Sequence, residues 1–410
     1  MWGYDDNNSL GVTEARNAEI YQWNAGVEHL LPGGITIGVD YSGSQSRHLP
    51  FSSGSGTSNK NTLPSSVRKQ IVSNYNQCVA TDPDPADDCT TPTNVLGEDV
   101  NNPFQPFFQG AGAMFNEPSS LYNNSTIPLI NLLRRYPQFD GSFSGLTLLA
   151  ASASYNSLQI RFQKRASHYV SFEGNYTWAK AIDDSSAGAN SFITDSLSNG
   201  SMPQEPDNLA AERSISANDA TNRMVLATIV DIPVGRGLWI GRGMSRPLDT
   251  IIGGWSVSTI LTFQSGTPIH IGMESSQLAD GAQRPDVVCP KVSSGISYHQ
   301  AALNFVHGTG DPSVFNESCF ADPGDQVAGN APRYFSNLRS DGIHNSDISL
   351  SKEISIKEDM KLQVCAEFFN FTNTPRFGFP VTSLGASDFG DVESTLNNPR
   401  HMQFGIRYQF

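Results

Sequence analysis

The sequence has no run of about 18 consecutive apolar residues, which excludes a helical membrane span. It is also poor in charge, with 16% charged residues among 410 where a soluble domain carries roughly a quarter. The first absence leaves a strand-built span untouched, because alternating strands keep the average hydropathy low. Basic residues are the scarcer sign, 26 Lys and Arg against 40 Asp and Glu, for a formal net charge of −14. That balance argues against a nucleic-acid partner, which calls for a basic face toward phosphates. HExxH, GxSxG and CxxC are all missing and the eight histidines are scattered, so we expect no enzyme activity, catalytic residue, cofactor or metal site. The opening stretch MWGYDDNNSLGVTEARN lacks the basic and apolar regions of a secretory signal. In place of charge and long apolar runs stand small polar residues, 36 Gly and 24 Pro.

Period-two alternation recurs in runs of about ten residues, the length a tilted strand needs to cross a bilayer core. In Ala18 to Leu30, Tyr21, Trp23, Ala25 and Val27 alternate with Gln22, Asn24, Gly26 and Glu28. A Pro32-Gly33-Gly34 turn follows, then Ile35, Ile37, Val39 and Tyr41 alternate with Thr36, Gly38, Asp40 and Ser42, a hairpin of matched polarity. Leu158, Ile160 and Phe162 oppose Gln159, Arg161 and Gln163, and Phe172, Gly174, Tyr176 and Trp178 oppose Glu173, Asn175 and Thr177. A third pair spans Met224 to Ile232, where the alternation is blurred, and Trp255 to Gln264, joined by the longer turn Pro233 to Gly254. The fourth runs from Ile343 to Ser355 and Lys361 to Asn370, with Cys365 and Glu367 on its polar side. The last strand alternates Met402, Phe404, Ile406, Tyr408 and Phe410 with Gln403, Gly405, Arg407 and Gln409.

Between the hairpins lie long polar segments, roughly 43 to 153, 182 to 221, 266 to 342 and 371 to 400. Such lengths are foreign to a compact soluble domain but normal for the external loops of outer-membrane barrels, whose periplasmic turns are short. The fold class is therefore all-β: an antiparallel transmembrane β-barrel of about nine strands with long extracellular loops. Nine strands put the two ends of the chain on opposite sides of the membrane, whereas a complete bacterial barrel has an even number. The sequence thus reads as part of a larger barrel, with Met1 to Asn17 outside the cell. A soluble β-sandwich or propeller also alternates. Against it stand the long and short connections in turn, the aromatic last strand, and the aromatics near strand ends: Tyr21, Trp23, Tyr41, Tyr176, Trp178 and Trp255 would form the girdle at the membrane interfaces. The opposite face, Gln22, Asn24, Glu28, Asp40, Arg161, Glu173, Asn175, Glu367 and Arg407, would line the lumen.

The runs YQWNAGVEHLLPGGITIGVDYSGSQSRHLP (21 to 50), SYNSLQIRFQKRASHYVSFEGNYTWAKAIDDSS (154 to 186), NLAAERSISANDATNRMVLATIVDIPVGRG (208 to 237), GGWSVSTILTFQSGTPI (253 to 269), AEFFNFTNTPRFGFP (366 to 380) and NPRHMQFGIRYQF (398 to 410) together resemble the C-terminal part of Oar-like TonB-dependent outer-membrane transporters. The resemblance covers most of the chain and is weakest over 50 to 150. It implies a plugged barrel of about 22 strands energised through TonB, with residues 1–410 supplying the C-terminal barrel portion. Signal peptide, plug and TonB-contacting segment have no counterpart in the sequence, so TonB is a partner only through that missing N-terminal region. The transported solute is unknown, and iron chelates, oligosaccharides and peptides all stay open.

Met402, Phe404, Ile406, Tyr408 and Phe410 resemble the insertion signal read by the barrel-assembly machinery, an aromatic edge able to pair with a receiving sheet. Sequential pairing of Cys78 with Cys89 and Cys289 with Cys319 would brace one external loop each, in keeping with the oxidising periplasmic route. The acidic stretch Asp82, Asp84, Asp87, Asp88 reads as a solvated loop rather than a calcium site, since no EF-hand spacing accompanies it. Gly235-Arg236-Gly237 and Gly241-Arg242-Gly243 lack the context of a phosphate loop and read as a flexible periplasmic turn. The functional expectation is an outer-membrane transporter or receptor in contact with the lipid bilayer. Its rival is a plugless structural or adhesive barrel whose loops bind a surface.

Overall fold

The computed structural model describes residues 17–51, 61–108, 121–139, 148–167, 169–185, 203–357 and 360–410. Its core element is one antiparallel meander. The strands are β1 (Glu19–Leu31), β2 (Ile35–Phe51), β3 (Leu148–Ser167), β4 (Val170–Asp183), β5 (Asn222–Asp231), β6 (Trp255–Gln264), β7 (Ile343–Lys357), β8 (Met360–Phe369) and β9 (His401–Gln409). They pair in chain order, and the short strand Ser214–Ile215 adds to β4. The nine alternating runs are thus nine strands, open at β1 and β9, which run in the same direction. The expected outside position of Met1 to Asn17 concerns residues of which all but the last lie outside the described ones.

Register keeps the two faces apart over the whole width, because side chains opposite each other share a face. One row runs Leu31, Ile35, Lys164, Phe172, Thr228, Thr259, Ile348, Phe368, Met402. It starts at the turn end of β1 and finishes near the loop end of β9, so the strands are sheared past one another as a tilted barrel wall requires. Phe162 lies over Gly174 on the neighbouring strand, where any Cβ would clash with the ring.

Two strands extend beyond their apolar alternation. The segment expected as a loop from 43 is strand to Phe51, and the segment expected to end at 153 is strand from Leu148. Their backbone pairing continues after the apolar face has ended, and polar alternation such as Gly43 to Arg47 carries no sequence signal of a strand.

The long connections are not open polar loops, a second departure. The segments 266 to 342 and 371 to 400 share the largest hydrophobic core of the described residues, built on Ile269, Ile271, Phe315, Phe320, Phe335, Leu338, Phe377, Phe389 and Val392. Phe320 meets Phe335 and Phe389 edge to face at 6.0 and 5.7 Å. Helix α1 (Ser65–Thr81) lies in the first long loop and α3 (Tyr298–His307) in the third, the latter capped by Ser297 and ended by left-handed Gly308. The first loop has its own small core, Tyr122 and Ile127 with Phe104 and Leu132 packed around them. Apolar residues placed without period along a loop give no strand or helix signal, yet they bury once four loops meet.

The turn with the two Gly-Arg-Gly runs is also built rather than flexible. Gly235 N–H donates to Ile240 O at 2.9 Å, Arg236 N–H donates to Asp249 Oδ1 at 2.7 Å, and α2 (Arg246–Ile252) closes the segment. No helix among the described residues is long and apolar enough to cross a membrane.

Candidate functional site

On the polar face of the wall, Glu28, Gly38, Arg161 and Asn175 form one row across β1 to β4. Glu28 reaches Arg161 over the intervening Gly38 and pairs with it at 2.6 Å, an exposed bridge. Asp40 stands opposite Gly26, and Gln22 and Asn24 opposite Ser44 and Ser42. Glu173 faces Gln163 across β3 and β4. At the other side of the sheet, Gln403 donates to Glu367, and Arg407 lies opposite Gln363. The nine polar residues picked from the sequence therefore share one face, although the width of the sheet separates Glu28 from Arg407. Val225, Ala227, Ile229 and Ile260 interrupt that face in the middle, which is the blurring noticed in β5.

The aromatics picked from the sequence share the other face, Tyr21 and Trp255 near strand ends but Tyr41, Tyr176 and Trp178 further inside their strands. Trp23 Nε1 donates to Tyr41 Oη, and Tyr41 Oη donates to Asn156 Oδ1 at 2.6 Å. Tyr176 Oη donates to Asn222 Oδ1 at 2.7 Å, and Trp178 stands beside Leu158. Tyr21 donates to Glu19 at the loop end of β1. Trp255 marks the turn end of β6. Met402, Phe404, Ile406, Tyr408 and Phe410 are all exposed, Phe404, Ile406 and Phe410 among the most of any apolar residue described, and β9 has a neighbour on one side only.

Above the loop end of the wall, the first three loops are tied together by ion pairs that the sequence reading missed. Arg68 in α1 binds Glu205 at 2.7 Å and Gln326 O at 2.9 Å, joining the first, second and third loops. Arg134 pairs with Asp280 at 2.9 Å. Arg284 grips Glu212 with both terminal nitrogens, at 2.6 and 3.2 Å, and the two side chains are almost wholly buried. Arg333 pairs with Asp183 at the top of β4, and Arg339 with Asp219 at 2.7 Å. Burial pushes the Arg68 guanidinium below its ordinary value, while Glu205 opposes the shift. Ion-pair partners 72 to 150 residues apart in sequence leave no local signal; a hint was available only in the recurrence of arginines within these loops.

Two disulfides add to this cap: Cys78 is bonded to Cys89 beside the end of α1, and Cys289 to Cys319 at the edge of the main core. Cys365 is free, and its Sγ faces Gly405 on β9. Cys78, Cys89 and Asp82 lie close enough for a metal group, but both sulfurs are committed to each other. Asp82 instead caps its own turn, accepting from Asp84 N–H at 2.9 Å.

His270 is buried in the cap, with Nδ1 2.8 Å from Arg333 O. Burial lowers it to about 4, so its ring is neutral near pH 7. The tied loops leave a cavity of about 500 Å³ lined by Arg68, Lys69, Arg213, Arg284, Glu205, Glu212 and the backbone of 326 to 332. Four cationic side chains against two carboxylates make this cavity positive within an acidic chain. Arg213 is the least engaged of them, its hydrogen bond being to Ser152 Oγ at 3.4 Å.

The family model described as outer membrane beta barrel domain matches residues 10–403. Among solved structures the chain is similar to the outer membrane transporter YddB of Escherichia coli, at 8% identity and a TM-score of 0.39, over 96% of this chain and 33% of that one. It is similar to the ferripyoverdine receptor of the outer membrane of Pseudomonas aeruginosa at 8% identity and a TM-score of 0.35, over 96% and 27%. Similarity to the ferric-catecholate import receptor Fiu of E. coli K12 is 10% in identity with a TM-score of 0.25, over 95% and 40%. The chain thus spans between 27% and 40% of the length of these three. No curated protein matches it. With a family match over nearly its full length and a meander whose faces divide into apolar and polar, this chain belongs to the outer membrane beta barrel domain family and is a protein of the bacterial outer membrane.

Proposed function

We propose that residues 1–410 are the C-terminal wall and outer gate of an Oar-like, TonB-dependent outer-membrane transporter. The observation that carries this reading is the positive cavity held between loops tied together above the polar face of a sheared, open wall. A solute arriving from outside would meet the cavity first and the polar face, with Glu28, Arg161 and Glu367, on its way inward. The apolar face, with Trp23, Tyr41, Trp178 and Trp255 on it, would meet lipid. The aromatic strand β9 would supply the edge that the assembly machinery receives. The plug and the segment touching TonB would come from outside this chain, whose sheet is open at β1 and β9.

The mass of the native polypeptide in the outer-membrane fraction tests this, detected with an antibody against the first long loop. We expect a band more than twice the length of these 410 residues. A band at the size of the 410-residue chain would favour a plugless barrel whose cap binds a surface partner.

A further inference from the structure

The longest turn at the lower end of the wall, residues 232 to 254, carries an exposed mixture that neither the wall nor the cap uses. Trp239 is 77% exposed and Ile251 69%, and Ile240, Leu248 and Ile252 are exposed beside them. In α2, Leu248, Ile251 and Ile252 stand at i, i+3 and i+4, one side of the helix. Arg236, Arg242 and Arg246 are exposed on the same turn, and no carboxylate pairs with them among the described residues. Its single acid, Asp249, is engaged by the Arg236 backbone N–H.

Lys352 fixes where this turn lies. By register it shares the apolar face with Trp255 and Val364. Its Nζ donates to Ile251 O at 3.1 Å and to Gly253 O, and stands 5.0 Å from the Trp255 ring centroid. The C-terminal end of α2 is therefore folded back over the apolar side of the wall and not under the polar side. Gly254 makes this bend with φ at +71°, and a Cβ there would press on Glu353 O.

We infer that this turn is a membrane-surface anchor that binds anionic phospholipid headgroups of the periplasmic leaflet. The inference rests on the outer-membrane barrel reading of the wall. Two observations select lipid as the occupant: the platform is continuous with the apolar face, and it is positive within a chain of net charge −14. The apolar side chains enter the boundary between headgroups and acyl chains, and the three arginines hold phosphates, as in interfacial helices.

The test places an environment-sensitive fluorophore at Ile251→Cys in the full-length protein, reconstituted in phosphatidylcholine vesicles with and without phosphatidylglycerol. The labelled parent is subtracted as background. We expect blue-shifted emission, quenched by lipids brominated near the headgroup and strongest with phosphatidylglycerol. Each of Arg236→Gln, Arg242→Gln and Arg246→Gln should weaken this contact about fivefold. Water-like emission from protein that still migrates as a folded, heat-modifiable barrel overturns the anchor. A blue shift that needs added periplasmic extract assigns the surface to a protein and also overturns it. Loss of the heat-modifiable barrel in the parent overturns the membrane reading beneath it.

Discussion

In the cap, Phe315 and Ile271 are at most 2% exposed, whereas Phe404 and Ile406 in the wall are each 77% exposed. The two regions use the same residue types against different surroundings. The cap removes its apolar side chains from water by packing them on one another, and it then has to pair the charges buried alongside. The wall satisfies its backbone through strand ladders and leaves one apolar face for lipid. Charges on its polar face stay wet, so a bridge such as Glu28 with Arg161 contributes at most about 1 kcal/mol. Each region should accordingly fail to a perturbation that the other ignores.

The largest expected effect is in the cap. Glu212→Gln leaves Arg284 buried without its counter-charge and should cost about 3–5 kcal/mol. Proteolysis should then cut within 203 to 221 and 266 to 342, while the heat-modifiable barrel band persists. Concerted loss of both regions would show that cap and wall are one cooperative unit.

Next comes pH. His270 is neutral in the fold, with its value lowered from 6.5 to about 4, so the unfolded loop takes up a proton first as acidity rises. Its contribution is whole above pH 6.5 and is lost on the way down to about 4, roughly 3 kcal/mol in all. Hydrogen exchange in the third loop should quicken over that window and be levelled by His270→Gln, with exchange in the strands unaffected.

The wall prediction is the smallest. Leu226→Arg in the middle of β5 puts a cation on the apolar face and should lower barrel stability by about 2–4 kcal/mol. Ala227→Arg, one residue along on the polar face, should be tolerated in a urea titration. Equal tolerance at both positions would sink the division of faces.

The same contrast explains what was legible in the sequence. Strands such as Trp255 to Gln264 announce themselves because lipid on one side and water on the other impose a period of two. Beyond the apolar zone that pressure stops, and the upper ends of β2 and β3 went unread. The cap obeys no period: Ile271 shares one core with Phe389 and Val392 from a loop separated by two strands, and Arg68 finds Glu205 at 137 residues' remove. The cysteine pairs could be named because neighbours in the chain were joined. Lys352 was invisible among alternating residues of β7, since its partners Ile251 and Gly253 lie about a hundred residues earlier.

The unbroken row from Leu31 to Met402 also constrains how such a gene can drift. Deleting one codon early in β4 would turn every later side chain of that strand inside out, Glu173 and Asn175 to the bilayer and Tyr176 and Trp178 to the polar side. Only paired insertions or deletions preserve the faces there, whereas described segments between β2 and β3 such as helix α1 are free of that parity rule. Length variation among relatives should therefore come in even steps within strands and in any step between them.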